Sequence, residues 1–318
     1  MLGSHKDLLG IKELSADEIS YILKNAQTMK YILTQNNKKT PHLQGKSIVT
    51  LFYENSTRTR LSFELASKYM SASSANIAAS SSSVAKGETL IDTVRTIEAM
   101  GTDIIIIRHS MSGAPHLAAK NVKASIINAG DGMNEHPTQA LLDALTIQQY
   151  KGGFDGLRVA IVGDVLHSRV VRSNIYCLTK LGAKVAVGAP ATLLPKGIEQ
   201  LGIEVYDNVQ EAIVGADVVM GLRMQLERQK SGFVPTVREY SRFFGIDDKR
   251  LKLAKPDALL MHPGPVNRGV ELTTGIIESP QSVIDEQVTN GVAVRMAIMY
   301  IFSRNGGSGV SGESTMLT

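Results

Sequence analysis

Short hydrophobic runs rich in β-branched residues alternate with segments of helical periodicity in the first half of the chain. The runs SIVTLFY (47–53), ANIAA (75–79), DIIIIRH (103–109) and ASIINAG (124–130) predict four strands. Between them, apolar residues three and four positions apart predict helices in LSFELASKYM, ETLIDTVRTIEAMG and GAPHLAAKNV. Because parallel strands need a crossover connection, which is usually a helix, this alternation predicts a parallel sheet.

The same pattern restarts after a long helical segment, HPTQALLDALTIQQYKGG (136–153). Strands are predicted at LRVAIVGDV, KVAVGAP, DALLMHP and the end of NVQEAIVGADVVMGL, and a terminal helix follows. We therefore predict an α/β fold of two parallel-sheet domains joined by a connecting helix, with the C-terminal helix returning to the first domain. The expected bounds are 1–135 and 136–283 for the two domains, 284–304 for the C-terminal helix and 305–318 for a disordered Gly/Ser-rich tail.

Composition agrees with a soluble two-domain protein. The 318 residues are 43% hydrophobic and 20% charged, and the chain has no basic, apolar start of a secretory signal. No apolar run approaches the roughly 20 residues that cross a bilayer. The single Cys177 excludes an internal disulfide and is expected to be inert core. We expect a cytoplasmic protein without a membrane partner.

The charge favours small anions over nucleic acid as ligands. The net charge is +4 and the pI about 9.0, but basic residues are spread along the chain. Aromatic residues make up 5% and tryptophan is absent, so no base-stacking surface is evident. We expect no nucleic-acid partner.

Polar clusters follow most of the predicted strands. They are ENSTRTR, RHS, DGMNEHPTQ, GDVLHSR, GLRMQ and HPGPVNRG, each placed directly after an apolar run. In open α/β sheets, ligands bind beyond the carboxyl ends of the strands. Several polar loops at that edge therefore predict one converged binding site.

The first of these clusters starts a helix near Ser56 or Thr57 and places Arg58 and Arg60 in its first turn. The helix dipole disfavours each arginine there by about 0.3–1 kcal/mol. A bound anion would reverse that penalty, because free N–H groups, hydroxyls and guanidinium groups would all face it. A solvated basic cap, with arginines paired to acids such as Glu54 and Glu64, is the alternative.

Other motifs narrow the chemistry. QGKS lacks the first P-loop glycine and leads into a strand, and AIVGDVLHSR lacks G-x-G-x-x-G. SSSSVAKGE is either a linker or a loop that closes over an anion with Lys86. His109, His136 and His262 match no metal-ligand spacing, so neither metal nor cofactor is expected. His136 is either an ordinary helix-start histidine or a donor to a carbonyl oxygen. The chemistry expected is positioning and oxyanion stabilisation.

The motif set resembles the carbamoyltransferase family over residues 4–304. FYENSTRTRLSFE marks the family, and SSSVAKGETLIDT, NEHPTQALLDALTI, GDVLHSRVVRSN, GLRMQLER and MHPGPVNRGVEL resemble its aspartate-specific branch. The resemblance implies transfer of a carbamoyl group from carbamoyl phosphate to the α-amine of L-aspartate. The products would be N-carbamoyl-L-aspartate and phosphate, an early step of pyrimidine biosynthesis. The first domain would bind carbamoyl phosphate and the second aspartate.

The resemblance also implies roles for individual residues. Carbamoyl phosphate would be bound by Ser56, Thr57, Arg58, Thr59, Arg108, His136 and Gln139, and by Ser82 and Lys86 of a neighbouring subunit. Arg58, Thr59, Arg108 and His136 would be catalytic, and Lys86, Arg169, Arg223, Gln225, Gly264 and Pro265 would bind aspartate. Glu54 would steady the aspartate-binding arginine. Ser82 is chosen over its neighbours by its spacing from Lys86, and some relatives carry a larger residue in place of Gly264.

Two alternatives remain. An ornithine carbamoyltransferase shares the phosphate half, but such relatives carry an HCLP turn where this chain has HPGP. A non-catalytic anion-binding subunit would not need both halves of the site. The resemblance implies a homotrimer with shared active sites, and leaves a regulatory chain or a dihydroorotase open as further partners.

Overall fold

The structure, a computed structural model, describes residues 5–78, 87–225, 233–234 and 236–305. Strands of the first half form a parallel sheet in the order β2-β1-β3-β4. Its strands are β1 (Ser47–Phe52), β2 (Ser73–Ala78), β3 (Ile104–His109) and β4 (Ser125–Asp131). The helices of this half are α1 (Ala16–Leu33), α2 (Thr57–Tyr69), α3 (Leu90–Ala99) and α4 (Ala114–Ala119). The order reverses between β1 and β3, which opens a crevice beyond their carboxyl ends.

A second parallel sheet has the order β7-β6-β5-β8-β9. Its strands are β5 (Arg158–Val162), β6 (Lys184–Gly188), β7 (Glu204–Tyr206), β8 (Val218–Gly221) and β9 (Leu259–Met261). The helices around it are α6 (Arg169–Lys180), α7 (Val209–Ile213), α8 (Val237–Phe244), α9 (Asp248–Leu251) and α10 (Thr274–Ile277). Here the order reverses between β5 and β8. The predicted α/β fold with two parallel sheets is confirmed.

Helix α5 (Pro137–Lys151) connects the two sheets, and every residue from 137 to 147 is buried. The C-terminal helix α11 (Ile284–Asn305) packs against α1, α2 and α5, so it returns to the first sheet as predicted. Helix α1 was not among the predicted elements. It begins with a capping box in which Ser15 accepts from the backbone of Glu18, whose side chain accepts from the backbone of Ser15.

The central strands are buried on both faces, which explains their continuous apolar runs. Each residue from 104 to 107 in β3 has no exposed surface. The predicted domain change at 135–136 falls between the end of β4 and the start of α5. Of the predicted tail, 305–318, Asn305 is instead the last residue of α11, and residues 306–318 lie outside the described residues. Among the helices of the described ranges, none is both long and apolar enough to cross a bilayer.

Candidate active site

A cavity of about 710 Å³ lies beyond the carboxyl ends of both sheets, where the strand order reverses. The residues that line it include Ser56, Thr57, Arg58, Thr59, Arg108, His136, Gln139, Arg169, Arg223, Gln225, Gly264 and Pro265. The structure thus brings together every predicted site residue that it describes. Ser82 and Lys86 lie outside the described residues. Arg60, which shares the first turn of α2 with Arg58, is not among the residues that line the cavity.

The N-terminus of α2 faces the cavity. Ser56 is the N-cap, with extended backbone, and its Oγ accepts from the N–H of Thr59 at 3.4 Å. The first turn contains no acidic side chain. Because the first N–H groups of a helix have no intrahelical acceptor, they are available to a ligand in the cavity.

Arg58 extends from this turn across the cavity to the loop after β9. Gly264 has φ +63°, and a Cβ built on it would lie 1.8 Å from NH1 of Arg58. A glycine is therefore required for this approach as well as for the left-handed backbone. Desolvation in the pocket, and then the charge of Arg223, lower the pKa of Arg58.

Glu54 joins two arginines at the boundary between the sheets. Its Oε1 accepts from NH2 of Arg108 at 2.9 Å and from NH2 of Arg169 at 2.6 Å. Gly130, with φ +115°, lies against both guanidinium groups, since a Cβ there would be 2.9 Å from Nε of Arg169 and 3.2 Å from NH1 of Arg108. Glu54 thus orients an arginine of each domain.

His136 is the N-terminal cap residue of α5 and is 5% exposed. Its backbone N–H donates to Oγ of Ser173 at 2.8 Å, which fixes the start of the helix against α6. Burial, and then the charges of Arg108 and Arg169, hold the pKa of His136 well below its usual range. The imidazole is therefore neutral at pH 7 and can donate one N–H into the cavity.

On the second-sheet side of the cavity, a buried carboxylate joins the loops that follow β5 and β8. Asp164 follows β5, and its Oδ2 accepts from the backbone N–H of Gln225 at 3.2 Å. Its Oδ1 accepts from Nδ1 of His167 at 2.9 Å. The loop that carries Gln225 and Arg223 is therefore anchored to the segment that leads into Arg169 at the start of α6.

Several cavity residues were not predicted, and Arg295 is the most informative. It lies in α11, is 4% exposed, and donates from NH1 to Oγ of Ser62 at 2.8 Å. Its guanidinium lies 5.1 Å from the ring centroid of Phe63, a cation–π contact. Burial lowers the pKa of Arg295 to about 10. A lone cation in the apolar run VAVRMAIMY was the signal that could have identified it.

The described residues that line the cavity include five arginines and one carboxylate, Glu54. Such an arrangement can bind a polyanion and can stabilise a developing oxyanion without covalent catalysis. Among the described residues, no group of three His, Cys, Asp or Glu side chains is placed to hold a metal ion.

Fold and cavity define a two-domain α/β protein with an arginine-lined cavity between its sheets. A family model described as "Aspartate/ornithine carbamoyltransferase, carbamoyl-P binding domain" matches residues 6–149. A second, "Aspartate/ornithine carbamoyltransferase, Asp/Orn binding domain", matches residues 155–302. The chain belongs to the aspartate/ornithine carbamoyltransferase family, which confirms the resemblance seen in the sequence.

Individual relatives cover nearly the whole chain. The aspartate carbamoyltransferase catalytic subunit of Ruminiclostridium cellulolyticum is 72% identical over 301 residues, which is 95% of this chain and 96% of that protein. The aspartate transcarbamoylase of Trypanosoma cruzi, in a crystal structure with carbamoyl phosphate, has a TM-score of 0.86 at 32% identity, covering 94% of this chain and 96% of that one. The ornithine carbamoyltransferase of Pyrococcus furiosus has a TM-score of 0.82 at 30% identity, covering 92% and 95%.

Proposed function

We propose that the chain transfers the carbamoyl group of carbamoyl phosphate to the α-amine of L-aspartate. The observation that carries this proposal is the single cavity in which an anion-binding helix N-terminus, Arg108 and His136 meet Arg169 and Arg223 of the second sheet. Carbamoyl phosphate needs a phosphate site beside a donor for its carbonyl oxygen, and aspartate needs two carboxylate sites. The 72% identical relative from R. cellulolyticum is an aspartate enzyme, which supports the same conclusion.

On the first-domain side, the phosphate would lie at the N-terminus of α2. The backbone N–H groups there, the hydroxyls of Ser56, Thr57 and Thr59, and the Arg58 guanidinium would bind its oxygens. Arg108 and neutral His136 would then face the carbonyl oxygen. Gln139 would contact the carbamoyl amide.

On the second-domain side, the cationic pair Arg169 and Arg223 would bind the two carboxylates of aspartate, with Gln225 beside them. The backbone carbonyls of Gly264 and Pro265 would accept from an amine. An ornithine side chain would instead bring an ammonium group to this wall. Among the described cavity residues the carboxylate is Glu54, and it already accepts from Arg108 and Arg169. The charge therefore favours aspartate.

The reaction needs orientation and charge stabilisation. The amine nitrogen attacks the carbonyl carbon, and the new C–N bond forms as negative charge develops on the carbonyl oxygen. Arg108, His136 and Thr59 would stabilise that charge, and one such donor is typically worth about 2.7–4 kcal/mol. The C–O bond to phosphate then breaks, and the leaving phosphate takes the proton of the amine. No protein base is required.

The test is product identification with the purified chain. It is supplied with carbamoyl phosphate and either aspartate or ornithine, and the products are separated and identified by mass spectrometry. We expect carbamoyl-aspartate and no citrulline. Citrulline would overturn the assignment of the second domain, and no product from either amine would favour the non-catalytic anion-binding alternative. Replacing His136 with Ala should lower turnover by roughly 10²-fold.

The resemblance further suggests a cytoplasmic homotrimer in pyrimidine biosynthesis, whose sites are completed by Ser82 and Lys86 of a neighbouring subunit. Subunit mixing tests this sharing. Arg58→Ala and Lys86→Ala trimers should each be nearly inactive, and a dissociated and reassembled mixture should regain activity. An unchanged, inactive mixture of confirmed hybrids would show that each site is formed by one chain. Mass photometry of the same samples gives the subunit number.

A further inference from the structure

Asp143 lies behind the cavity and is not a cavity residue itself. It has no exposed surface, and both of its carboxylate oxygens accept hydrogen bonds from side-chain amides. Its Oδ1 accepts from Nε2 of Gln139 at 2.9 Å and from Nε2 of Gln287 at 2.7 Å, and its Oδ2 accepts from Nδ2 of Asn174 at 2.8 Å. One buried carboxylate therefore joins α5, α6 and α11.

This carboxylate is ionised under neutral conditions. Burial raises the pKa of Asp143 to about 6, and the three amides, with the charge of Arg295, oppose a further rise. Above that pH the group can accept hydrogen bonds but cannot donate one. Every amide that contacts it must therefore present its NH₂ group to it.

The consequence for Gln139 is a fixed amide orientation. The oxygen and nitrogen of a glutamine amide have nearly the same shape, so packing alone does not select one orientation. Because Nε2 of Gln139 donates to Asp143, the carbonyl oxygen Oε1 is the atom left for the cavity, which Gln139 lines. That oxygen can accept from a carbamoyl NH₂ group, whereas it has nothing to accept from the methyl group of an acetyl analogue.

Gln287 is oriented by the same carboxylate. Its Nε2 donates to Asp143, so its Oε1 is free to accept from the backbone N–H of His262 at 2.9 Å. His262 in turn accepts at Nδ1 from the backbone N–H of Gly264 at 2.8 Å. The loop after β9 thus depends on the same acceptor as Gln139.

We propose that Asp143 is a positioning residue that fixes the amide orientation of Gln139 and thereby makes the site select a carbamoyl over an isosteric acetyl phosphate. The proposal rests on the function proposed above. It concerns the origin of the selectivity, because Asp143 is not among the residues that line the cavity.

The test compares binding of carbamoyl phosphate with binding of acetyl phosphate, which differs by an NH₂ group replaced by CH₃. Dissociation constants are measured by calorimetry, or as inhibition constants against transfer to aspartate. In Asp143→Leu, which is close in size but cannot accept, the preference for carbamoyl phosphate should fall by at least tenfold. Asp143→Asn keeps one acceptor oxygen and should restore it to within about threefold of the parent.

Two further variants separate positioning from damage to the fold. Thr146→Val removes a buried polar contact between two of these helices, α5 and α11, because Oγ1 of Thr146 accepts from Nδ2 of Asn290 at 2.8 Å. It should leave the preference unchanged. In a Gln139→Met background, Asp143→Leu should cause a much smaller loss of preference than in the parent, since only the route through Gln287 and the loop after β9 remains.

If Asp143→Leu does not fold, Asp143→Ala is measured in its place. The proposal would be overturned if the Asp143 variant preferred carbamoyl phosphate as strongly as Thr146→Val does. It would also be overturned if the Asp143 substitution reduced the preference equally in the parent and in the Gln139→Met background. Both results count only while the parent carbamoylates aspartate. Failure of the proposed function itself would appear separately, as a parent that makes no carbamoyl-aspartate.

Discussion

The contact between Gly264 and Arg58 allows a sharp test of how the phosphate side of the cavity is organised. In Gly264→Ala, the new Cβ would lie 1.8 Å from NH1 and 2.6 Å from Cζ of Arg58. An ordinary van der Waals contact begins near 3.4 Å, so the guanidinium must shift by roughly 1.6 Å. The backbone at φ +63° adds strain of about 1–2 kcal/mol for any residue with a Cβ.

These two effects are distinguished by where they act. The strain lowers the free energy of unfolding, whereas the displaced guanidinium weakens binding at the N-terminus of α2. A misplacement of about 1 Å can reduce a rate by about 10²-fold. We therefore expect kcat/KM for carbamoyl phosphate to fall by roughly 10²-fold in Gly264→Ala, with a parallel loss of affinity for inorganic phosphate.

Gly269→Ala is the matched control. Gly269 has φ +79°, and a Cβ there would meet nothing within 4 Å, so it carries the strain without the clash. Steady-state kinetics and urea unfolding are measured for both variants. We expect similar losses of stability and a large loss of kcat/KM in Gly264→Ala alone. Equal activity in the two variants would show that the position of Arg58 does not depend on this glycine.

Two further predictions follow from the charged groups. Glu54→Gln should weaken the hydrogen bonds to Arg108 and Arg169 and lower kcat/KM for aspartate by about 30-fold, since weakening a partly buried charge pair costs about 2 kcal/mol. The control is Glu64→Gln, on the surface beside Lys68. Equal kinetics in both variants would contradict the expectation. Below pH 6.5, His136 should stay neutral in the folded protein, whereas the same residue of the unfolded chain takes up a proton. The free energy of unfolding should therefore fall by up to about 1.4 kcal/mol for each pH unit below 6.5. Denaturant unfolding of His136→Asn between pH 5.5 and 7.5 should show a weaker pH dependence than the exposed control His42→Asn, and identical slopes would refute it.

Local patterns were sufficient to predict much of the fold. The run IIII at 104–107 has no exposed surface and forms the first four residues of β3, as a run buried on both faces should. Parallel topology places the carboxyl ends of strands at one edge, which is why loops far apart in sequence could be expected to converge. The cavity contains Arg108, at the carboxyl end of β3, and Arg223, just after β8, as this rule requires.

Residues whose role depends on packing between helices could not be predicted in the same way. Asp143 and Arg295 are charged residues within helices, and such residues usually mark a solvated face. Their burial arises only when α5, α6 and α11 come together. The apolar run around Arg295 indicates its burial, whereas no pattern around Asp143 does so. Helix α1 is a different case, since its capping box and its buried residues Ile19, Ile22 and Leu23 were readable from the sequence.

Locally unfavourable residue choices lie at the candidate site. Arg58 lies at a helix N-terminus, where the helix dipole disfavours a positive charge, and it shares one cavity with further arginines. The charge of Arg223 contributes to the lowered pKa of Arg58. Such conflicts persist in natural proteins where a function requires them. A dianionic phosphate and a dicarboxylate would each neutralise part of this charge, so the same groups that strain the unbound site would strengthen substrate binding. A ligand that binds only the folded state raises the free energy of unfolding by RT ln(1 + [L]/Kd). Removing Arg58 should therefore reduce the stabilisation by phosphate, even though the loss of this charge relieves repulsion in the free protein.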